Sequence, residues 1–261
     1  MLEAKNISLH RGGRPILRDI QLRIEPGKVS VVLGPNGAGK TSLLRVLSGE
    51  WDPDPEGEVR FHGQPLPSLP VRRLGQLRAY LHQESSLDFA FTALEVVLLG
   101  RSPHMRGGER PEDYSIAREA LARVDLADRA DDLYTHLSGG EKQRVQLARV
   151  LAQIEGPPEE RRQRCLFLDE PTNNLDLWHQ ETVQRVVREV ADGGTAVVMI
   201  IHDINQAIRN ADHVFVLSGG RLALEGAPEA VAADPRFAEI FRVRLKSVRL
   251  EGHKRPFLLV E

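Results

Sequence analysis

Five stretches of strand length run almost without polar interruption: KVSVVLG (28–34), LRAYLHQ (77–83), RCLFLDE (164–170), TAVVMIIHD (195–203) and HVFVLSGG (213–220). A strand with one wet face alternates apolar and polar positions, so runs this continuous predict strands covered on both faces. Helical patterns lie between most of them, which predicts a mainly parallel sheet in an α/β fold. The first sixty residues are patterned differently, since NISLH, ILRDIQLRI and GEVRFHG are short, alternating and separated by Gly or Pro. They predict a small antiparallel β part beside the core.

From residue 84 to 149 the strand signal disappears. Ala117, Ala120, Leu121 and Val124 fall at i, i+3, i+4 and i+7, one stripe of a helix, and Val145, Ala148 and Ala152 repeat the spacing. The expected organisation is one domain over 1–261, with 1–83 and 150–261 as the α/β core and 84–149 as an inserted helical subdomain. IEGPPEERRQR (154–164) is a polar, Pro-rich loop whose charges suit a solvated surface. The tail, RVRLKSVRLEGHKRPFLLVE, alternates enough for two short strands, and the sequence assigns it no role.

Composition narrows the class. At 261 residues, 41% hydrophobic and 28% charged, the chain has the make-up of an ordinary folded protein. Lys plus Arg number 35 against 37 Asp plus Glu, a formal net charge of -2, which leaves no electrostatic footprint for nucleic acid. The longest apolar run in a strand pattern, AVVMII, falls far short of the roughly 20 residues that span a bilayer. MLEAKNISLHRGG lacks the parts of a secretory signal, and a lone cysteine, Cys165, allows no internal disulfide. The cytoplasm is the expected compartment.

GPNGAGKT (34–41) follows the strand pattern VSVVL and precedes the apolar helix pattern SLLRVLSG. This is G-x-x-x-x-G-K-[ST] in the setting it requires, strand then loop then helix. Backbone amides there wrap phosphates, Lys40 reaches the β and γ groups, and the Thr41 hydroxyl can ligate Mg²⁺. Gly34, Pro35, Asn36, Gly37, Ala38, Gly39, Lys40, Thr41 and Ser42 are therefore the expected nucleotide contacts, and a P-loop NTPase core is the expected fold.

CLFLDEP (165–171) supplies acidic partners at the carboxyl end of a strand. Asp169 there can hold Mg²⁺ through water, and Glu170 can orient or deprotonate an attacking water as a general base. Alone, such a pair also suits a helix cap or a solvated edge. His202 and Gln83 end two other core strand patterns, at the edge where open α/β sheets bind ligands. A lone histidine is usually structural, while an uncharged amide at Gln83 suits water or Mg²⁺. Together with Asp169 and Glu170 they make a set.

LSGGEKQRVQLARVLAQ (137–153) reads as an anion site without a cation. Ser138, Gly139 and Gly140 lead into an apolar-periodic helix whose free N–H groups and positive end attract phosphate. Ser138 and Glu141 form S-x-x-E, a capping box. An ordinary capped helix is the plainer alternative. It leaves unexplained why two glycines, costly in chain entropy, stand where a helix begins.

The ordered series GPNGAGKT, Gln83, LSGGE, LFLDEP, NNLD and His202 resembles the nucleotide-binding subunit of ABC transporters over essentially the whole chain. The resemblance implies ATP with Mg²⁺ at Thr41, Gln83 and Asp169, and hydrolysis directed by Glu170, His202 and Gln83. It implies a head-to-tail homodimer in which Ser138, Gly139 and Gly140 of one copy cap the ATP held by the partner's phosphate loop. NNLD (173–176) would line the dimer seam, with Asp176 coupling the two sites, although asparagines stand where small residues are usual. The position that often stacks an aromatic ring on adenine holds Arg11; a guanidinium plane can stack on a base, and His10 is the alternative.

ESSLDFAFTALEVVLLGRSPHMRG, directly after Gln83, is similar to the importer branch serving iron chelates, haem and cobalamin. Within that branch, RGGRPIL and the Pro-rich stretch before CLFLDEP resemble haemin-import ATP-binding subunits. The resemblance implies two membrane permease subunits, a periplasmic substrate-binding protein engaged indirectly, and a peripheral place on the cytoplasmic face of the inner membrane. Nucleotide-driven closure would move the helical subdomain against a coupling helix of the permease. Ferric siderophore or cobalamin as cargo is the nearest alternative. A soluble ABC ATPase acting on DNA or ribosomes would show a coiled-coil insertion, a second cassette or a basic surface, and a P-loop kinase leaves LSGGE unexplained. The nine histidines, His62, His104, His179 and His253 among them, have no ligand spacing, so the cargo is not read from them.

Overall fold

A computed structural model describes residues 1–83, 89–173, 175–248 and 255–260. Asn174 of NNLD, His253 of the tail and residues 84–88 of the importer-like stretch lie outside the described residues. The chain opens with β1 (Leu2–Arg11) and β2 (Arg14–Ile24), a long antiparallel hairpin. Then come β3 (Val29–Leu33), α1 (Lys40–Ser48), β4 (Glu58–Phe61), β5 (Gln64–Pro65), α2 (Val71–Leu77) and β6 (Arg78–Leu81). Strands β1, β2, β4 and β5 form the antiparallel sheet expected of the first sixty residues, in the order β2-β1-β4-β5.

The core sheet adds β7 (Cys165–Asp169), β8 (Ala196–Ile200), β9 (His213–Ser218) and β10 (Arg221–Gly226), in the order β10-β9-β3-β8-β7-β6. All neighbours are parallel except the edge hairpin β9–β10. The continuous apolar runs have their reason in two cores, one on each face. Val29, Val31, Leu33, Leu166, Leu168, Val197 and Met199 face one. Val32, Cys165, Phe167, Val198 and Ile200 face the other, beside α1 and the antiparallel sheet. Period-two alternation therefore never becomes visible, because both faces bury carbon.

Helices α3 (Ala93–Leu99), α4 (Pro111–Arg123) and α5 (Gly139–Ile154) pack on one another between β6 and β7. Ala117, Ala120, Leu121 and Val124 are buried along the stripe their spacing predicts, as are Val145, Ala148 and Ala152 on α5. Helix α5 runs through residue 149 to Ile154, joining the helical stretch to the core. The run Gly-Arg-Ser-Pro-His at 100–104 is the knot of this packing. A Cβ on Gly100 would stand 2.2 Å from the Arg149 carbonyl oxygen, so α3 and α5 meet where no side chain fits. Arg101, buried, donates to Asp113 at 3.0 Å and to the Ala152 and Glu155 carbonyls at 2.7 and 2.8 Å, tying α4 to the end of α5. Arg101→Ala strands the buried Asp113 carboxylate, and the expected loss of about 3–5 kcal/mol is measurable by urea unfolding.

After β7 come α6 (Leu177–Asp192), α7 (Ile204–Asn210), α8 (Pro228–Ala233), α9 (Pro235–Phe241) and the tail strands β11 (Leu245–Val248) and β12 (Phe257–Val260). The two short strands expected from the alternation of the tail are present, and they pair with each other. No helix among the described residues is long and apolar enough to cross a membrane.

Candidate nucleotide site

The sheet order decides which residues meet. β3, β8, β7 and β6 are parallel neighbours, with Val32 opposite Ile200, Asp169 opposite Ile200 and Leu81 opposite Leu168. Their carboxyl ends therefore share one edge, and the segments beyond them carry the loop 34–39, His202, Asp169 with Glu170, and Gln83. A cleft of about 650 Å³ at that edge is lined by Ile16, residues 36–42, Gln83, Glu170 and His202.

The phosphate loop is shaped by close packing below and bare donors above. Gly34 has φ +150°, and a Cβ there would lie 2.3 Å from the Leu217 carbonyl oxygen, so only glycine lets the loop leave β3 over β9. Helix α1 starts at Lys40 with Gly39 before it and no side-chain cap, which leaves its first N–H groups for an anion. Lys40 Nζ donates to the carbonyls of Gly34 and Pro35 at 2.8 and 3.1 Å. Burial lowers the pKa of its ammonium, against the attraction of Glu170 and Asp169. A phosphate here would restore the charge that burial disfavours.

Asp169 is almost fully buried, and burial raises its pKa. Its two oxygens are held from opposite sides: Thr41 Oγ1 donates to Oδ1 at 3.3 Å, and the Tyr80 hydroxyl donates to Oδ2 at 3.2 Å. A hydroxyl and a carboxylate beside a phosphate loop are the hard oxygen donors that Mg²⁺ takes, so the residues fit the ion. Tyr80 is a residue the sequence reading missed; its signal is a phenol in a buried strand, which must find a partner.

Glu170 follows Asp169 in a left-handed conformation, φ 53°, which sends its carboxylate elsewhere. Gln83 Nε2 donates to Oε2 at 2.8 Å, Asn173 Nδ2 donates to the same oxygen, and His202 Nε2 pairs with Oε1. Gln83, Glu170 and His202 are thus brought together as one cluster. Asn173 joins them, a second residue the sequence reading placed only on NNLD.

Other candidates lie apart. Ser138, Gly139 and Gly140 start α5, and none of them lines the cleft. The capping box is complete: Glu141 N donates to Ser138 Oγ at 3.3 Å, while Ser138 N and Oγ each donate to Glu141 at 2.8 Å. These bonds depress the Glu141 pKa. A Cβ on Gly139 would meet nothing within 4 Å in this chain, so nothing inside the fold demands glycine there. Asp176 caps α6, accepting from His179 N at 2.9 Å and pairing with its ring at 2.8 Å, and its side chain is exposed. Arg11 stacks on Trp51, 3.7 Å from the ring centroid, and His10 pairs with Asp54 at 2.7 Å. Ile16 is the residue of this region that lines the cleft, an apolar side chain missed because β2 shows only its alternation. Among the described residues no three or more His, Cys, Asp or Glu side chains are grouped to hold a metal ion.

Comparison with known proteins gives the family and the fold. Residues 17–173 match the ABC transporter family. The hemin import ATP-binding protein HmuV of Gloeobacter violaceus is 49% identical over 232 residues, covering 88% of this chain and 83% of that protein. Its namesake from Myxococcus xanthus is 44% identical over 260 residues, 100% of this chain and 97% of that one. A dimeric bacterial ABC transporter cassette superposes with a TM-score of 0.76 at 28% identity, covering 87% of this chain and 99% of its own. An inward-facing metal-chelate type ABC transporter shares the fold over 100% of this chain and 97% of that one, with a TM-score of 0.81 at 24% identity. The chain belongs to the ABC transporter family, as an ATP-hydrolysing subunit.

Proposed function

We propose that this subunit powers haem uptake: it hydrolyses ATP as one of two identical copies joined head to tail beneath two membrane permease subunits. The observation that carries the shared-site reading is the separation of two anion sites. The cleft has the phosphate loop and the base, while Ser138 and Gly139 stand outside it. A second copy would supply them, with Asp176 at the seam. Haem as cargo rests on the hemin import relatives at 49% and 44% identity. The resemblance supports a peripheral place on the cytoplasmic face of the inner membrane and indirect engagement of a periplasmic binding protein.

On nucleotide binding, Lys40 would trade the Gly34 and Pro35 carbonyls for phosphate oxygens, and the loop amides would take the rest. Thr41, Asp169 and Gln83 would hold Mg²⁺, which would supply positive charge to offset the charge of the phosphates. Water attacks the γ-phosphorus in line, the bond to the bridging oxygen breaks, ADP leaves, and the water proton passes to Glu170. His202, Gln83 and Asn173 fix the carboxylate that takes it. Arg11 would reach adenine only by leaving Trp51. Helices α3 to α5 would carry closure to the permease.

Reconstitution of the transporter in liposomes tests the cargo. Haemin-loaded carrier protein is expected to stimulate ATP hydrolysis several-fold, with ferric siderophore and cobalamin carriers inert. Stimulation by either of those alone reassigns the cargo, and hydrolysis tied to ribosomes or DNA removes the transport role.

A further inference from the structure

The C-terminal hairpin has no part in the chemistry above, yet it grips the helix that follows His202. Helix α7 has seven residues, too few to hold its own geometry in water. Asp203 caps its start by accepting from Asn205 N and Gln206 N at 2.8 and 3.0 Å, so His202 stands directly before the cap. The imidazole therefore goes where α7 goes.

Two residues fasten α7 to the tail. Asn205 Nδ2 donates to the Leu258 carbonyl at 3.0 Å, and Leu258 N donates to Asn205 Oδ1 at 2.8 Å, a two-bond clasp on β12. Leu258 itself is buried in the core that also holds Ile208 and Phe237. At the other end, Arg255 Nη1 donates to the carbonyls of Ile208, Arg209 and Ala211 at 2.6, 3.0 and 2.6 Å. Those carbonyls end the helix and favour a cation. Glu229 on α8 holds the same guanidinium through Nε at 3.0 Å. From the far side Gln206 donates to Gln180 at 2.8 Å, and Gln180 donates to the Leu175 carbonyl, next to Asp176, at 3.0 Å.

We infer that the C-terminal hairpin is a positioning device for catalysis: Asn205 and Arg255 lock α7 and thereby hold His202 against the Glu170 carboxylate. This rests on the roles proposed above for those two residues. Positioning acts on turnover, since the phosphate loop, which binds the nucleotide, lies on another strand.

The test uses the complete transporter carrying Asn205→Ala, Arg255→Ala, Arg255→Lys or His202→Ala. For the two alanine variants of the clasp, kcat is expected to fall about tenfold, the scale of a small misplacement, with the KM for ATP within about twofold. Hydrogen exchange should quicken over 204–210 and stay unchanged over 34–42. Arg255→Lys should recover most of the turnover, because an ammonium can still cap the helix end. Arg255→Ala added to His202→Ala should cost nothing further, as coupled residues require. Native kcat with a loosened α7, additive losses, or kcat and nucleotide affinity falling together with Tm would each overturn the inference. Asn205→Ala leaves Leu258 and Arg255 in place and carries the test if Arg255→Ala fails to accumulate. Native turnover in His202→Ala sinks the site reading itself; an inactive His202→Ala beside unaffected clasp variants sinks the hairpin's role alone.

Discussion

Glu170→Gln is expected to bind ATP as tightly as the native subunit, to lose turnover by about 10²–10⁴-fold, the scale of general-base catalysis, and to accumulate as a closed dimer. The side chain keeps its size, so the turn at φ 53° and the donors from Gln83 and Asn173 can stay. What disappears is the basic oxygen, replaced on one side by an amide that can accept no proton from water. Affinity is expected to survive because, on the mechanism proposed, the phosphate contacts belong to Lys40 and the loop amides after β3, whereas Glu170 follows β7, two places along the sheet. On the mechanism proposed, closed dimers are expected to persist because the γ-phosphate stays in place. Stopped turnover with ATP-dependent dimers on size exclusion is the predicted pair of results. A variant that hydrolyses at the native rate shows that Glu170 is not the base.

Ser138→Arg is expected to abolish hydrolysis while the dilute subunit keeps its nucleotide affinity within about twofold, since the residue lies outside its own cleft. The position is exposed, so the fold loses a helix cap worth about 1 kcal/mol and no core packing. Ser138→Ala, which loses the same cap without adding bulk, separates the two effects and should retain measurable turnover. Mixing makes the argument sharper. A Lys40→Ala subunit keeps an intact Ser138, and a Ser138→Arg subunit keeps an intact phosphate loop. Each alone is expected to be inactive, whereas the mixed dimer contains one complete site and should hydrolyse ATP. Equal loss of nucleotide binding by the dilute Ser138→Arg subunit would place Ser138 in its own site and end the shared-site account.

How far the sequence reaches depends on the range of the force that fixes each feature. The phosphate loop, the strands on either side of the sheet and the capping box at Ser138 are local, and their spacing alone places them. Gln83, Glu170 and His202 were legible because each ends an apolar run, and parallel neighbours bring such ends to one edge. The hairpin strand β10 escaped, since Arg221–Gly226 is half-exposed at the sheet edge and lacks a continuous apolar run. Tyr80, Asn173 and Ile16 escaped because their partners are set by tertiary packing. So did the stacking of Arg11 on Trp51, a pair that no periodicity joins. The clasp of Asn205 on Leu258 spans 53 residues, and no short motif announces it.

The central claim, that one copy alone lacks part of the reacting site, is tested most directly by the ATPase rate of the isolated subunit across a dilution series. The account predicts a rate per molecule that rises in proportion to concentration while monomers predominate and levels off once dimers do. A rate per molecule that stays constant down to concentrations where sedimentation detects monomer alone would contradict it.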